Sequence, residues 1–220
     1  MTADAATARL VLMTPPVQDA DGWPGTMGDA LLAAVAAAPV DAVLLRLPKL
    51  DERSLLKALK PLIARLQEHN VAVLIEDAPE LVARSGADGA HVSDPAQLHD
   101  AAEAMKTLGR MVGVGNLRAR HDAMEAAEEG TDYVLFGEPR RDGSLQPLSG
   151  VLERAQWWAE LFQTPCIAYA PTLDDVAALA ATGCEFVALG DAVFAHPGGP
   201  AEAMALALAA LRKSAEAPAR

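Results

Sequence analysis

Two apolar runs in this chain end on residues that can do chemistry. Val71–Ile75 closes on Glu76 and Asp77, and Gly89–Val92 closes on Ser93 and Asp94. A short helical segment separates the runs, so both acidic tips fall just past the C-terminal ends of neighbouring buried strands. In α/β folds that edge is where chemistry sits. A third run, Ala42–Arg46, ends on a guanidinium. It reads either as a strand-end ion pair with Glu76 or Asp77, or as an anion-binding group. The histidines form no set: His69, His99 and His121 belong to helical segments, His196 to a loop, and none has a second ligand at zinc spacing. His91 lies on a strand and reads as core or pocket lining. Cys166 and Cys184 sit in apolar surroundings with no CxxC spacing and read as small core residues.

The elements that must position these residues repeat along the whole chain. Strands are expected at Arg9–Met13, Ala42–Arg46, Val71–Ile75, Gly89–Val92, Met111–Val114, Tyr133–Phe136, Cys166–Tyr169 and Phe186–Leu189. Helical segments are expected at Gly28–Ala38, Asp51–His69, Pro79–Arg84, Pro95–Leu108, Ala119–Glu129, Val151–Phe162, Leu173–Thr182 and Pro200–Lys213. Within the second of these, apolar positions 55, 56, 59, 62, 63 and 66 keep helical spacing. The strands are unbroken apolar runs rather than alternating ones, as burial on both faces of a parallel sheet requires. One unit recurs at Gly86–Gly89, Gly130–Val134 and Gly183–Val187, where a glycine ends a helix and a few residues turn into the next strand. No G-x-G-x-x-G opens the first unit and no linker divides the chain. The fold expected is a single-domain (β/α)8 TIM barrel over residues 9–213, with tails at 1–8 and 214–220.

Composition narrows the partners. Acids outnumber bases 30 to 18, for a net charge of −12, which disfavours nucleic acid and anionic membranes as partners. Half of the residues are apolar, yet no run approaches the roughly 18 needed to cross a bilayer. No apolar segment follows a basic start, so the expectation is a soluble, cytoplasmic chain. Trp157 and Trp158 on the sixth helix read as packing or as a homodimer contact.

The chain resembles the thiamine phosphate synthase/TenI family. The likeness is carried by VLLRLPK after the second strand, LIEDAPELVARSGADGAHVSD across strands three and four, VGVGNLRARHDAMEAAEEGTDYVLFGEP across five and six, and CIAYAPTLDDVAALAATGCEFVALGDAVF at the end. The resemblance implies an enzyme that joins an aminopyrimidine methyl diphosphate to a thiazole ethyl phosphate and releases pyrophosphate. It implies a small phosphorylated or heterocyclic metabolite as partner and Mg²⁺ as cofactor. Mg²⁺ would rest on Asp77 and Asp94, with Glu76 as an added acid, because this ion takes one or two carboxylates and completes its shell with water and phosphate. Asp94 reads equally as the cap of the following helix.

By the same resemblance, anion-binding groups are expected at Arg46, Lys49, Asn116, Arg140, Arg141 and Gly190. Several positions depart from the family pattern. Leu44 replaces a glutamine, Pro48 a lysine that Lys49 follows one place late, and Gly115 a serine. The loop after strand six is EPRRDGSLQP, whose two arginines could grip a phosphate or simply be solvated. Ala170–Pro171–Thr172 replaces a Gly-Gly-Ile that offers backbone N–H groups, and proline has none. Gly190–Asp191 replaces a Val-Ser pair, placing a carboxylate where phosphate is expected. Leu117 and Arg118 stand where the TenI-type isomerisation needs a histidine. The alternative is therefore a diverged barrel that binds a different ligand or acts as a non-catalytic partner.

Overall fold

The eight apolar runs pair in parallel, each with its neighbour in sequence, and the eighth returns to the first. A computed structural model describes residues 8–15, 23–140 and 142–216. The barrel strands are β1 (Arg9–Met13), β2 (Ala42–Leu45), β3 (Ala72–Glu76), β4 (Gly89–Val92), β5 (Met111–Val114), β6 (Tyr133–Phe136), β7 (Cys166–Ala170) and β8 (Phe186–Leu189). Around them lie α1 (Gly25–Ala37), α2 (Glu52–Gln67), α3 (Pro79–Ser85), α4 (Leu98–Leu108), α5 (Arg120–Glu128), α6 (Leu148–Leu161), α7 (Val176–Ala180), α8 (Asp191–Phe194) and α9 (Gly199–Glu216).

Several boundaries move for physical reasons. The segment after β4 begins as a 3₁₀ turn, Pro95–Gln97, before α4. A proline at the first position and an Asp94 cap favour that tight start. α6 begins a turn earlier than the apolar spacing suggests, directly behind Pro147. α8 is an additional short turn after β8, and α9 continues to Glu216, past the point where fraying is expected. Ala8, assigned to the tail, is buried. Residues 1–7 and 217–220, part of the loop before α1, and Arg141 lie outside the described residues.

Alternation along each strand divides the core in two. Val11, Met13, Leu44, Leu74, Tyr133, Leu135, Ile167, Tyr169 and Ala188 fill the barrel interior. The larger layer between strands and helices includes all six apolar positions of α2. Trp158 belongs to that layer, fully buried and stacked on Phe162 with ring centroids 4.0 Å apart. Its role is packing.

The repeated glycine-to-strand unit also has a clear role. Asp88 Oδ2 accepts from Val73 N at 2.8 Å, Asp132 Oδ2 from Val112 N at 2.7 Å, and Glu185 Oε2 from Cys166 N at 2.8 Å. Asp41 pairs with Arg9 at 2.5 Å. An acid before each even-numbered strand thus clamps the preceding odd-numbered strand at the N-terminal face of the barrel, the face that serves stability. Asp88→Ala is expected to lower unfolding free energy by about 1–3 kcal/mol, the usual cost of orphaning such donors. Urea denaturation would measure it, and ligand affinity at the opposite face should not change.

Candidate functional site at the barrel mouth

Arg46 follows β2 and is 5 % exposed. Its backbone N–H donates to Thr14 Oγ1 at 2.7 Å, which fixes the strand tip. Its Nε donates to Glu76 Oε1 at 3.0 Å, and its Nη2 to the Pro139 carbonyl at 2.7 Å. Nη1 has no partner among the described residues. Of the two sequence readings of Arg46, the ion pair with Glu76 is present, and Nη1 remains a donor without a partner among the described residues.

Across the mouth, Glu138 stands two residues past β6 and is 4 % exposed. Its Oε1 accepts the Asn116 backbone N–H, and its Oε2 has no partner among the described residues. Burial pushes this carboxyl up to about 7, opposed by the Asn116 N–H and by Arg46, and assisted by Glu76. Asn116 adopts φ 54°, the left-handed region that asparagine tolerates, and its Oδ1 is also unpartnered. His91, fully buried on β4, holds the Tyr133 hydroxyl with Nδ1 at 2.9 Å. Burial lowers His91 to about 3, with Arg46 lowering it further and Asp77 opposing, so the ring is neutral near pH 7. Burial likewise pushes the Tyr133 hydroxyl well up. His91 Nε2 has no partner among the described residues.

Glycine at 115 is what lets these groups meet. A Cβ there would lie 2.3 Å from Glu138 Oε1 and 2.8 Å from His91 Nε2. At Gly113, one layer down, a Cβ would fall 1.9 Å from the Tyr133 ring. β5 therefore gives up side-chain volume twice, to Tyr133 and to Glu138.

The resulting pocket, about 340 Å³, is lined by Arg46, Glu76, Ser93, Asp94, Asn116, Glu138, Pro139 and Arg140. Arg140 touches Ser144 Oγ at 3.3 Å through Nη1, and its Nε is unpartnered. Of the expected site residues, the structure gathers Arg46, Glu76, Asp94, Asn116 and Arg140 here. Asp77 lies beside the pocket, at φ 53°, with its carboxylate accepting Ser93 N at 2.7 Å and Ser93 Oγ at 2.6 Å. It ties the β3 tip to the β4 tip. Asp94 is exposed and caps the 3₁₀ turn through Oδ1 to Ala96 N at 3.1 Å while also lining the pocket. Lys49 is exposed on the loop after β2 and lines no part of it. The Gly190 carbonyl accepts from Val193 N at 2.8 Å, and Tyr169 Oη closes the space beside its Cα. Its neighbour Asp191 lines a separate cavity of about 680 Å³ with Pro171, Thr172, His196 and Lys213. That cavity is the larger, yet none of its lining residues carries an unpartnered buried polar atom. Arg46, Asn116, Glu138 and Arg140, which carry such atoms, all line the smaller one.

Glu138 is the residue that sequence reasoning missed, and His91 was left undecided. The available signal was paired: a glycine at 115 beside an acid just past the next strand.

Two measurements test this geometry. Because its carboxyl is raised from 4.5 to about 7, folded Glu138 keeps its proton across a range where the unfolded chain loses it. Stability from this group is full below pH 4.5 and falls as pH rises through 7, by about 3 kcal/mol in total. The stability of wild type relative to Glu138→Gln should decline by that amount between pH 4.5 and 8 in paired thermal melts. Gly115→Ala should cost about 1–3 kcal/mol through overpacking, since Asn116 holds Glu138 and Tyr133 holds His91. In a Glu138→Ala background the cost should shrink, giving a coupling of about 1 kcal/mol in a double-mutant cycle.

Residues 11–193 match the family model described as thiamine monophosphate synthase. The thiamine-phosphate synthase of Rhodospirillum centenum is 37% identical over 199 residues, covering 90% of this chain and 94% of that protein. That of Hyphomonas neptunium is 32% identical over 206 residues, covering 89% and 90%. Among solved structures, thiamine phosphate pyrophosphorylase from Pyrococcus furiosus superposes with a TM-score of 0.76 at 18% identity, covering 96% of this chain and 98% of that one. A 3-hexulose-6-phosphate synthase from Salmonella typhimurium gives 0.72 at 17% identity, covering 94% and 99%, which speaks to the barrel alone. Match length and identity together place this chain in the thiamine monophosphate synthase family.

Proposed function

We propose that this protein is a thiamine-phosphate synthase-type transferase. It joins an aminopyrimidine methyl diphosphate to a thiazole ethyl phosphate. The observation that carries the reading is the mouth pocket itself, where two guanidinium nitrogens, Arg46 Nη1 and Arg140 Nε, have no partner among the described residues of a chain of this family. Guanidinium donors suit a departing pyrophosphate, which gains charge as the pyrimidine methylene C–O bond breaks and keeps that bond's electrons. The thiazole nitrogen then gives its lone pair to the methylene carbon, and no protein nucleophile is needed. Arg46 is aimed by Glu76 and by the Pro139 carbonyl, so it meets the leaving group without reorganising.

The acids fit Mg²⁺ in the manner this ion prefers. The described residues contain no cluster of three or more His, Cys, Asp or Glu able to cage a metal. Mg²⁺ needs only one or two carboxylates when substrate phosphates supply the rest. Asp94 lines the pocket and commits only Oδ1 to its cap, and Asp77 stands on the adjacent tip. Asp94 would hold the ion, while Asp77 is engaged by Ser93 and Glu76 serves Arg46. When bound, Mg²⁺ neutralises charge on the pyrophosphate.

A second reading is favoured by Asp191 and Pro171, which line the other cavity and offer phosphate a carboxylate and an imide nitrogen without hydrogen. On it, the aminopyrimidine half is retained and the second ligand carries no phosphate.

Incubation with both substrates and Mg²⁺ should yield thiamine phosphate, and Arg140→Ala should lower kcat/KM by about 10²-fold. No product from wild type, with stabilisation by the aminopyrimidine diphosphate alone, would select the second reading.

A further inference from the structure

The mouth pocket brings three carboxyl groups, Glu76, Asp94 and Glu138, to the same walls as the guanidinium groups of Arg46 and Arg140. Two of the three are accounted for. Glu76 pairs with Arg46 at 3.0 Å, and Asp94 is exposed and caps the turn before α4. Glu138 is different. It is buried, its Oε1 takes the Asn116 N–H, and its Oε2 has no partner among the described residues. As a carboxylate it would be a buried charge beside a diphosphate drawn in by the two arginines, and would repel it. As a carboxylic acid it repels nothing and has a hydrogen to give. Because Oε1 accepts the Asn116 N–H, that hydrogen belongs on Oε2, the oxygen the protein leaves unmet.

The surroundings favour the acid form near neutral pH. Burial pushes this carboxyl up to about 7; the Asn116 N–H and Arg46 oppose the shift, and Glu76 assists it. Arg154 of α6 and Tyr133 of β6 also lie within its electrostatic reach, Asp94 and Arg140 share its pocket, and the neutral His91 ring stands across Gly115. A diphosphate held at the arginines adds negative charge and keeps the proton in place until the reaction begins. We propose that Glu138 is the general acid for the leaving group, handing its Oε2 hydrogen to a pyrophosphate oxygen as the methylene C–O bond breaks. The electron pair of that bond stays on pyrophosphate, which leaves carrying the proton. Glu138 becomes a carboxylate, held by the Asn116 N–H, and solvent returns its proton once the product has left. Attack by the thiazole nitrogen on the methylene carbon is unchanged. The inference rests on the proposed reaction and supplies a proton donor on its leaving-group side. It also gives Gly115 a purpose, since a Cβ there would lie 2.3 Å from Glu138 Oε1 and displace the acid.

The test is single-turnover pyrophosphate release from the aminopyrimidine methyl diphosphate with Mg²⁺ and the thiazole phosphate, followed from pH 6 to 9 in wild type and Glu138→Gln. The amide keeps the shape of the acid and has no proton to transfer. At pH 6 the variant should be slower by about 10²-fold with KM changed less than about threefold. Above pH 7 the wild-type advantage should shrink by about tenfold per pH unit, and substrate ionisation, common to both proteins, cancels in the ratio. A ratio that stays constant from pH 6 to 9 overturns the proposal. Should Glu138→Gln not fold, wild type alone decides: a rate that falls above pH 7 supports it, and a level or rising rate overturns it. Thiamine phosphate formed with a pH-independent ratio would sink this inference and keep the reaction. Pyrophosphate released with the Glu138-dependent fall but without thiamine phosphate would do the reverse, and no release by wild type overturns both.

Discussion

The mouth of this barrel depends on keeping an ionisable carboxyl out of water. Glu138 is buried beside Arg46 and Glu76, in a space that exists only because residue 115 has no side chain. A buried carboxylate is tolerated when it is paired or protonated. Here neither condition is fully met by the protein: one oxygen has the Asn116 N–H and the other has nothing among the described residues. The same holds for Arg46, whose guanidinium engages Nε and Nη2 inside the protein while Nη1 has no partner among the described residues. The site is held in tension by groups that a ligand would complete.

Rigidity elsewhere makes that arrangement affordable. At the opposite end, Asp88, Asp132 and Glu185 each clamp a neighbouring strand by its backbone, and Asp41 adds an ion pair. At the functional end, Asp77 binds Ser93 through both carboxylate oxygens, and Thr14 receives the Arg46 backbone N–H. Strand tips fixed at both ends give side chains little room to relax toward water.

How far the sequence could be read follows from the range of each interaction. Strands and helices are governed by local periodicity, so the six apolar positions of α2 and the eight strands are legible directly. The glycine-to-strand repeat is legible as a rhythm, but its acid clamps join residues some twenty positions apart and need the register. Asp77 and Asp94 are correctly placed at strand tips, while their actual contacts, a cross-strand tie and a helix cap, are equally ordinary uses of an aspartate. Arg46 leaves two readings open because a guanidinium has enough donors to satisfy both. Glu138 was invisible for a different reason. It lies in a loop, where no periodicity marks it, and its meaning comes from the glycine twenty-three positions earlier that makes room for it.

That pairing bears on how the departures from the family pattern should be weighed. Taken singly, Gly115 in place of a serine looks like the loss of an anion contact, and an acid after β6 looks hostile to phosphate. In this chain the two share one space: a Cβ at 115 would lie 2.3 Å from Glu138 Oε1, which takes its hydrogen bond from Asn116, the next residue along. A site that had only decayed would be expected to lose polar groups or to open them to solvent. This one holds a buried acid and, among the described residues, an unpartnered guanidinium nitrogen of Arg46 in the same pocket. Asp191 and Pro171 line another cavity. The buried polar atoms without a partner among the described residues at this end therefore gather past β2, β5 and β6, whereas the residues lining the β7–β8 cavity carry none.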